Sequence, residues 1–187
     1  MPKRRTLTRE TVIKTAVTLA NEAGTPDAVT LAKLAGTLNV RTPSLYNHVD
    51  GLDGLREGMT AWALSGLYTE LRDATLGLTG RDALIQLAHA YRRYGLANPG
   101  VYALILRAPD VEQLEIVRIS EDILQLLLLV MASVGIQGAT AIHMIRSFRS
   151  LTHGFVTLEI AGGFGMQAYD PDESYQLLLN TFLTGLE

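Results

Sequence analysis

The sequence predicts an all-α fold of about nine helices, and three observations carry that prediction. Apolar residues recur at the three-and-four spacing of a helix face along most of the chain, beginning with Val12, Ile13, Ala16, Val17, Ala20 and Ala23. No segment shows the alternating apolar and polar pattern of a half-buried strand, and no repeat of 20 to 50 residues is present. Residues that end helices separate the periodic stretches: Gly24, Asn39, the pair Asn98-Pro99 and the run AGGFG.

The first helix is expected over Arg9 to Ala23, with Thr8 as its N-cap and Gly24 as its stop. After a Gly-Thr-Pro-Asp turn, Thr30 caps a short second helix whose inward residues are Leu31, Leu34, Ala35 and Leu38. Asn39 follows where a left-handed residue is wanted, and asparagine is the commonest alternative to glycine there. A third helix then starts with Thr42 as N-cap and Pro43 at its first position, and reaches about His48.

Asp50 can cap a fourth helix from Gly51 to about Leu76, carrying Leu55, Met59, Trp62, Ala63, Leu67 and Leu71 inward. The fifth is expected over Arg81 to Ala97 and a short sixth over Pro99 to Leu106. Pro109 and Asp110 open a long seventh to about Val134. The eighth runs from Gly138 to Ile160, and the ninth from Pro171 to Leu186 after the glycine-rich link.

With 187 residues, 48% of them hydrophobic, the chain has ample apolar material for a core and is not a disordered segment. There are no cysteines, which removes disulfides, thiolate nucleophiles and sulfur-bound metals together and suits the cytoplasm. MPKRRTLTRE has no apolar stretch behind it and reads as a basic arm, not a secretory signal. The greasiest run, Leu126 to Val134, is too short for a membrane span and reads as a buried helix.

Net charge is −3, but it is unevenly placed. Residues 1–49 hold seven cations, Lys3, Arg4, Arg5, Arg9, Lys14, Lys33 and Arg41, against Glu10, Glu22 and Asp27, a balance of +4 that leaves −7 for the rest. A basic end on an acidic body fits a chain with one face toward phosphates.

The stretch TLAKLAGTLNVRTPSLYNHVD, Thr30 to Asp50, describes a helix-turn-helix: two short helices joined by a tight turn, held together by Leu34, Ala35, Leu38, Val40, Leu45 and Val49. At 100° per residue, an inward Leu45 turns Pro43 and Asn47 outward and leaves Ser44 and Tyr46 on the flanks. From about Thr8 to Leu55 the chain resembles the DNA-binding region of TetR-family regulators, through the run L-A-x-x-L-x-V-x-x-P-S-L-Y-x-H-V, which places Leu34, Ala35, Leu38, Val40, Pro43, Leu45, Tyr46, His48 and Val49 at once. The resemblance implies a DNA-binding set of Thr30, Lys33, Arg41, Thr42, Pro43, Ser44, Tyr46, Asn47 and His48. Within it Arg41, Thr42 and Asn47 would meet base edges, Arg41 forking onto guanine and Asn47 onto adenine, while Thr30, Ser44, Tyr46 and His48 would fix the backbone.

Two positions depart from that family pattern. Asn39 stands where the family has glycine, which is physically equivalent. Leu52 stands where the family has lysine, so one phosphate contact is lost beside Asp50 and Asp53, and affinity leans on the PKRR arm. SFRSLTHGFVTLEIAGGFG and LANPGVYALIL also resemble the TetR subgroup with a Trp-His-Gly motif, matched here only at His153 and Gly154, with Leu151 or a neighbour in the tryptophan position.

The expected organisation is therefore a DNA-binding domain over residues 1–50 and a helical ligand-binding and dimerisation domain over 51–187. Function would be that of a repressor released from its operator by a small hydrophobic or aromatic molecule, the alternative being an architectural or partner-regulated DNA-binding protein without a ligand. Trp62, His89, Tyr102, His143 and Phe148 are the ligand-lining candidates, each also readable as core. Ser147, Ser150 and Gly154 on the eighth helix would admit a close neighbour, and with Leu178 and Phe182 on the ninth they are the candidates for a four-helix dimer seam. The partners are thus duplex operator DNA, a second copy of the chain and a small-molecule effector, with no membrane.

An enzyme is the rival class, and it is poorly supported. No histidine pair has zinc-protease spacing, no glycine-rich loop follows a strand, and a nucleophile elbow needs strands. His89, His143 and His153 read first as core or interface residues, and neither a metal nor a cofactor is expected.

Overall fold

A computed structural model describes residues 7–166 and 169–185 of the chain. The basic arm Pro2–Arg5 and the end of the ninth predicted helix at Leu186 lie outside the described residues. The fold is all-α, with no strand among the described residues: α1 Arg9–Ala23, α2 Leu31–Thr37, α3 Gly51–Thr75, α4 Gly80–Ala97, α5 Pro99–Tyr102, α6 Leu114–Ala132, α7 Gly138–Ile160 and α8 Pro171–Thr184. Short 3-10 segments lie at Pro26–Ala28, Thr42–Asn47 and Ala103–Leu106.

Local chemistry explains most boundaries. Thr8 Oγ1 accepts the N–H of Thr11 at 3.1 Å at the start of α1, and Asp170 Oδ1 accepts that of Asp172 at 2.8 Å at the start of α8. Gly24, at φ 71°, closes α1. There the Gly24 N–H bonds Asn21 O and the Thr25 N–H bonds Ala20 O, satisfying carbonyls that the helix itself leaves unpaired.

Three predicted elements differ in form. The third helix is not α-helical but 3-10, with Arg41 and not Thr42 in the cap position. Pro43 has no N–H to give, and the Ser44 N–H bonds Arg41 O at 2.9 Å and the His48 N–H bonds Leu45 O at 2.8 Å, both i→i+3. The sixth changes from α to 3-10 after Tyr102. The seventh begins at Leu114, because Asp110 uses its carbonyl and carboxylate on Gln113 and Glu112 in a separate turn.

The described chain forms two compact units: one runs to Ser65 and takes in Asn98–Ser120, and the other holds Gly66–Ala97 and the chain from Glu121 onward. The expected boundary at residue 50 thus falls inside the first unit. Its core includes Val12, Ala16, Ala20, Leu34, Leu45, Leu55 and Val101, each with no exposed surface. Gly58 of α3 belongs here because a Cβ would meet Ile13 Cδ1 of α1 at 2.6 Å.

In the second unit Tyr175 of α8 is wholly buried and donates its hydroxyl to Ala88 O of α4 at 2.8 Å. Arg92 of α4 donates from Nε and Nη2 to the two carboxylate oxygens of Glu159 on α7, at 2.7 and 2.6 Å. Its Nη2 also lies 2.7 Å from Asp172 of α8, and the guanidinium stands 5.0 Å from the centre of the Tyr175 ring and 5.5 Å from that of Phe155. The Glu159 hydrogen bonds, aided by Asp172, raise the pKa of Arg92 further above its ordinary value despite burial. One cation therefore gathers three helices. Every buried side-chain nitrogen and oxygen among the described residues has a partner.

Candidate nucleic-acid interface

The turn between α2 and the 3-10 segment is built on Asn39, the one non-glycine residue with positive φ among those described, at 53°. Its N–H bonds Gly36 O at 3.1 Å and the next, that of Val40, bonds Ala35 O at 3.0 Å. These two bonds close α2 and aim the chain into Thr42–Asn47. Leu34 and Leu45, both with no exposed surface, and Val49 then hold the two segments together from the inside.

The 3-10 geometry changes which side chains face outward. Three residues per turn set Thr42, Leu45 and His48 in one row, so Thr42 and His48 are half-buried beside Leu45. Pro43 and Tyr46 form a second row and Ser44 and Asn47 a third. Pro43, Tyr46 and Asn47 are exposed, as is Arg41 at the cap, while Ser44 is half-buried. Tyr46, 58% exposed, faces outward instead of flanking the segment.

Thr30 and Lys33 are exposed on α2. Thr30 Oγ1 accepts the Lys33 N–H at 3.2 Å, which leaves its own O–H available to donate. Lys33 and Arg41 form no ion pair with any described residue, whereas Lys14 is tied to Glu10 at 2.6 Å and Arg56 to Asp27 at 2.8 Å. Leu52, with 36% of its surface exposed, stands between exposed Asp50 and Asp53 at the start of α3.

Two supports of this surface were not anticipated from sequence. Arg56 ties α3 to the turn before α2 through Asp27, 29 residues away, a pair with no local signal. Gly58 did carry one: a glycine inside a helical pattern marks a close approach, here by Ile13.

The ligand candidates fall in both units. Trp62 is half-buried and Tyr102 buried in the first. In the second, His89 is half-buried with Nε2 3.2 Å from Gln176 Oε1 and its ring edge-on to Tyr175, Phe148 is buried with its ring centre 5.8 Å from that of Phe182, and His143 is exposed on α7. Among the described residues no group of three or more histidines and carboxylates could hold a metal ion, and no helix is long and apolar enough to cross a membrane.

The seam candidates lie on α7 and α8. Ser147 and Ser150 are exposed, while Leu178 and Phe182 are half-buried. A Cβ added to Gly154 would meet nothing within 4 Å. Packing within the described chain therefore does not require glycine at this position. His153 beside it has its pKa lowered, by burial first and then by Arg149 one turn away.

Residues 84–182 match the family model described as the tetracyclin repressor-like C-terminal domain. The chain is 35% identical over 181 residues to an uncharacterized HTH-type transcriptional regulator of Bacillus subtilis, YobS, covering 96% of this chain and 93% of the relative. Its fold resembles the crystal structure of the protein SCO4313, with a TM-score of 0.76 at 27% identity, covering 94% of this chain and 95% of that one. It also resembles a single-substitution variant of TetR from Acinetobacter baumannii in complex with minocycline, with a TM-score of 0.69 at 21% identity and 96% of each chain covered.

Proposed function

The chain belongs to the TetR family of helix-turn-helix transcriptional regulators, and from that premise we propose that it is a repressor that reads a duplex operator as a homodimer and is released from it by a small hydrophobic or aromatic ligand. The observation that carries the DNA reading is the exposed set Arg41, Pro43, Tyr46 and Asn47, held outward by buried Leu45 directly after the left-handed turn at Asn39. Arg41 offers a planar fork to guanine and Asn47 a paired donor and acceptor to adenine, with half-buried Thr42 beside them. Tyr46, Thr30, Ser44, His48 and Lys33 fix the phosphate backbone, and Pro43 lies against the groove.

The homodimer reading rests on Gly154, whose open face on α7 leaves room for a second backbone, flanked by exposed Ser147 and Ser150. Leu178 and Phe182 of α8 would complete the seam. Two copies are needed because operators of this kind are read as paired half-sites about one helical turn apart or at multiples of that spacing.

The ligand reading draws on the second unit, where most of the family-model match falls and where His89, His143 and Phe148 lie. It is supported by the minocycline complex of the Acinetobacter protein. Such a ligand releases the operator only if it binds the DNA-incompetent state more tightly than the competent one.

Selection of bound duplexes from a random library by the full-length protein, followed by sedimentation of the complex, tests the DNA and dimer readings together. Two chains per selected duplex are expected, and one chain per duplex would overturn the dimer. A thermal-shift screen against hydrophobic and aromatic compounds tests the ligand, since binding to the native state alone raises apparent stability. A hit that leaves operator affinity unchanged is not an effector, and a screen without hits favours a regulator without a ligand.

A further inference from the structure

Arg56 lies in the second turn of α3, a helix that only His48, Val49 and Asp50 separate from Asn47. It shares a helix face with exposed Leu52, one turn earlier, which carries no charge. Its Nη2 donates to Asp27 Oδ1 at 2.8 Å. Asp27 stands shortly before Thr30, the N-cap of α2. The chain from one to the other spans at most about 11 Å, the length of a few phosphates along one strand. Thr30, exposed Lys33 and the Arg56 guanidinium are therefore gathered near the start of α2. The pair itself is open to solvent, with 43% of the Arg56 side chain and 79% of the Asp27 side chain exposed. An ion pair of this kind is weak, because the attraction is screened and two side chains lose freedom to make it.

We propose that Arg56 is a further contact to the DNA backbone, one that Asp27 holds in the free protein and releases to a phosphate near the one that Thr30 meets. This inference rests on the reading of the chain as a DNA-binding regulator. A phosphate competes well for the guanidinium: it offers two oxygens to the planar fork, and each cation that settles on a duplex releases a condensed counterion. Asp27 then stands without its partner beside a row of phosphates, so its charge opposes binding. The rival role is a brace, in which the pair only positions α2 on α3. A brace fails from either end, so the two roles give opposite signs for the loss of the Asp27 charge.

The test is anisotropy of the full-length protein on a selected and a random duplex, at salt concentrations from about 50 to about 200 mM. Arg56→Gln should weaken both duplexes and lower the slope of log affinity against log salt by about 0.9 for each chain bound. The loss at the low-salt end should accordingly exceed that at the high-salt end by about 3.5-fold per chain. Arg56→Lys keeps the cation and should keep the slope. Asp27→Asn should tighten binding to both duplexes. All three substitutions keep a polar side chain on an exposed surface, so the fold should survive them. An unchanged slope in Arg56→Gln overturns the contact, and an Asp27→Asn protein that binds more weakly than the original overturns it in favour of the brace. An original protein that binds no duplex at any of these salt concentrations overturns the DNA reading instead.

Discussion

Arg92 of α4 and Glu159 of α7, 67 residues apart, meet through two parallel charge-assisted hydrogen bonds of 2.7 and 2.6 Å with 10% and 16% of their side chains exposed. A pair this enclosed is costly to break from one side, because the remaining charge keeps its desolvation penalty and loses its partner. Arg92→Met should destabilise the protein by about 3 kcal/mol in urea denaturation. Arg92→Met combined with Glu159→Met should recover much of that loss. A double variant as unstable as the sum of the two singles would show that the charges matter independently of each other.

Asn39 is the hinge of the helix-turn-helix, and its value lies in its backbone. At φ 53° glycine is at no disadvantage, so Asn39→Gly should keep stability within about 0.5 kcal/mol and leave duplex binding intact. Asn39→Val should cost about 1 to 2 kcal/mol, since a branched side chain crowds the backbone in this region. Equal melting temperatures for the two variants would contradict the assignment.

Arg41→Ala and Asn47→Ala should each weaken binding to a selected duplex by about 1 to 3 kcal/mol and affect random duplexes much less. Tyr46→Phe should weaken both more nearly alike, as expected of a phosphate contact. Fluorescence anisotropy on both duplexes separates the classes. An Asn47→Ala variant with equal losses on the two would belong with the backbone contacts.

Gly154→Leu gives a sharp test of the proposed seam, because the described chain has open space at that position. The single chain should fold at least as well, leucine being favoured over glycine in a helix by up to about 1 kcal/mol. The leucine side chain should nevertheless separate two closely packed backbones and yield monomers in sedimentation, while Gly154→Ala should weaken the dimer less. A dimeric Gly154→Leu protein would place the seam elsewhere.

The lowered pKa of His153 sets the sign of one pH effect. As pH falls through the ordinary imidazole value of 6.5, the unfolded chain takes up the proton before the folded one does. Stability associated with neutral His153 is therefore complete above that value and is lost as pH falls through the lower folded pKa. Denaturation midpoints should drop as pH falls below about 6.5, and less steeply in His153→Gln. Parallel curves for the two proteins would remove His153 as a source of the effect.

What was legible in the sequence depended on distance along the chain. The boundaries of α1 and α7, the caps at Thr8 and Thr30 and the left-handed turn at Asn39 are each written within a few residues, because helix periodicity and capping bonds act over three to five positions. The same range carried the exposed character of Pro43 and Asn47. It misplaced Tyr46 by one face, because helix type within Thr42–Asn47 turns on whether i→i+3 or i→i+4 bonds prevail, and apolar spacing in six residues does not distinguish the two.

The amino-acid sequence by itself thus determined the all-α class, the helix-turn-helix and the residues it turns toward solvent, all of them consequences of near-neighbour sterics and hydrogen bonding. Only the tertiary structure decided that Arg92 would gather Glu159 and Asp172, that Asn21 would reach Asn98 across 77 residues, and that Gly100 would rest on the backbone of Ala20. Those contacts join segments whose separation along the chain carries no periodic signal. They arise because buried polar groups must find partners among whatever elements the apolar faces have already brought together.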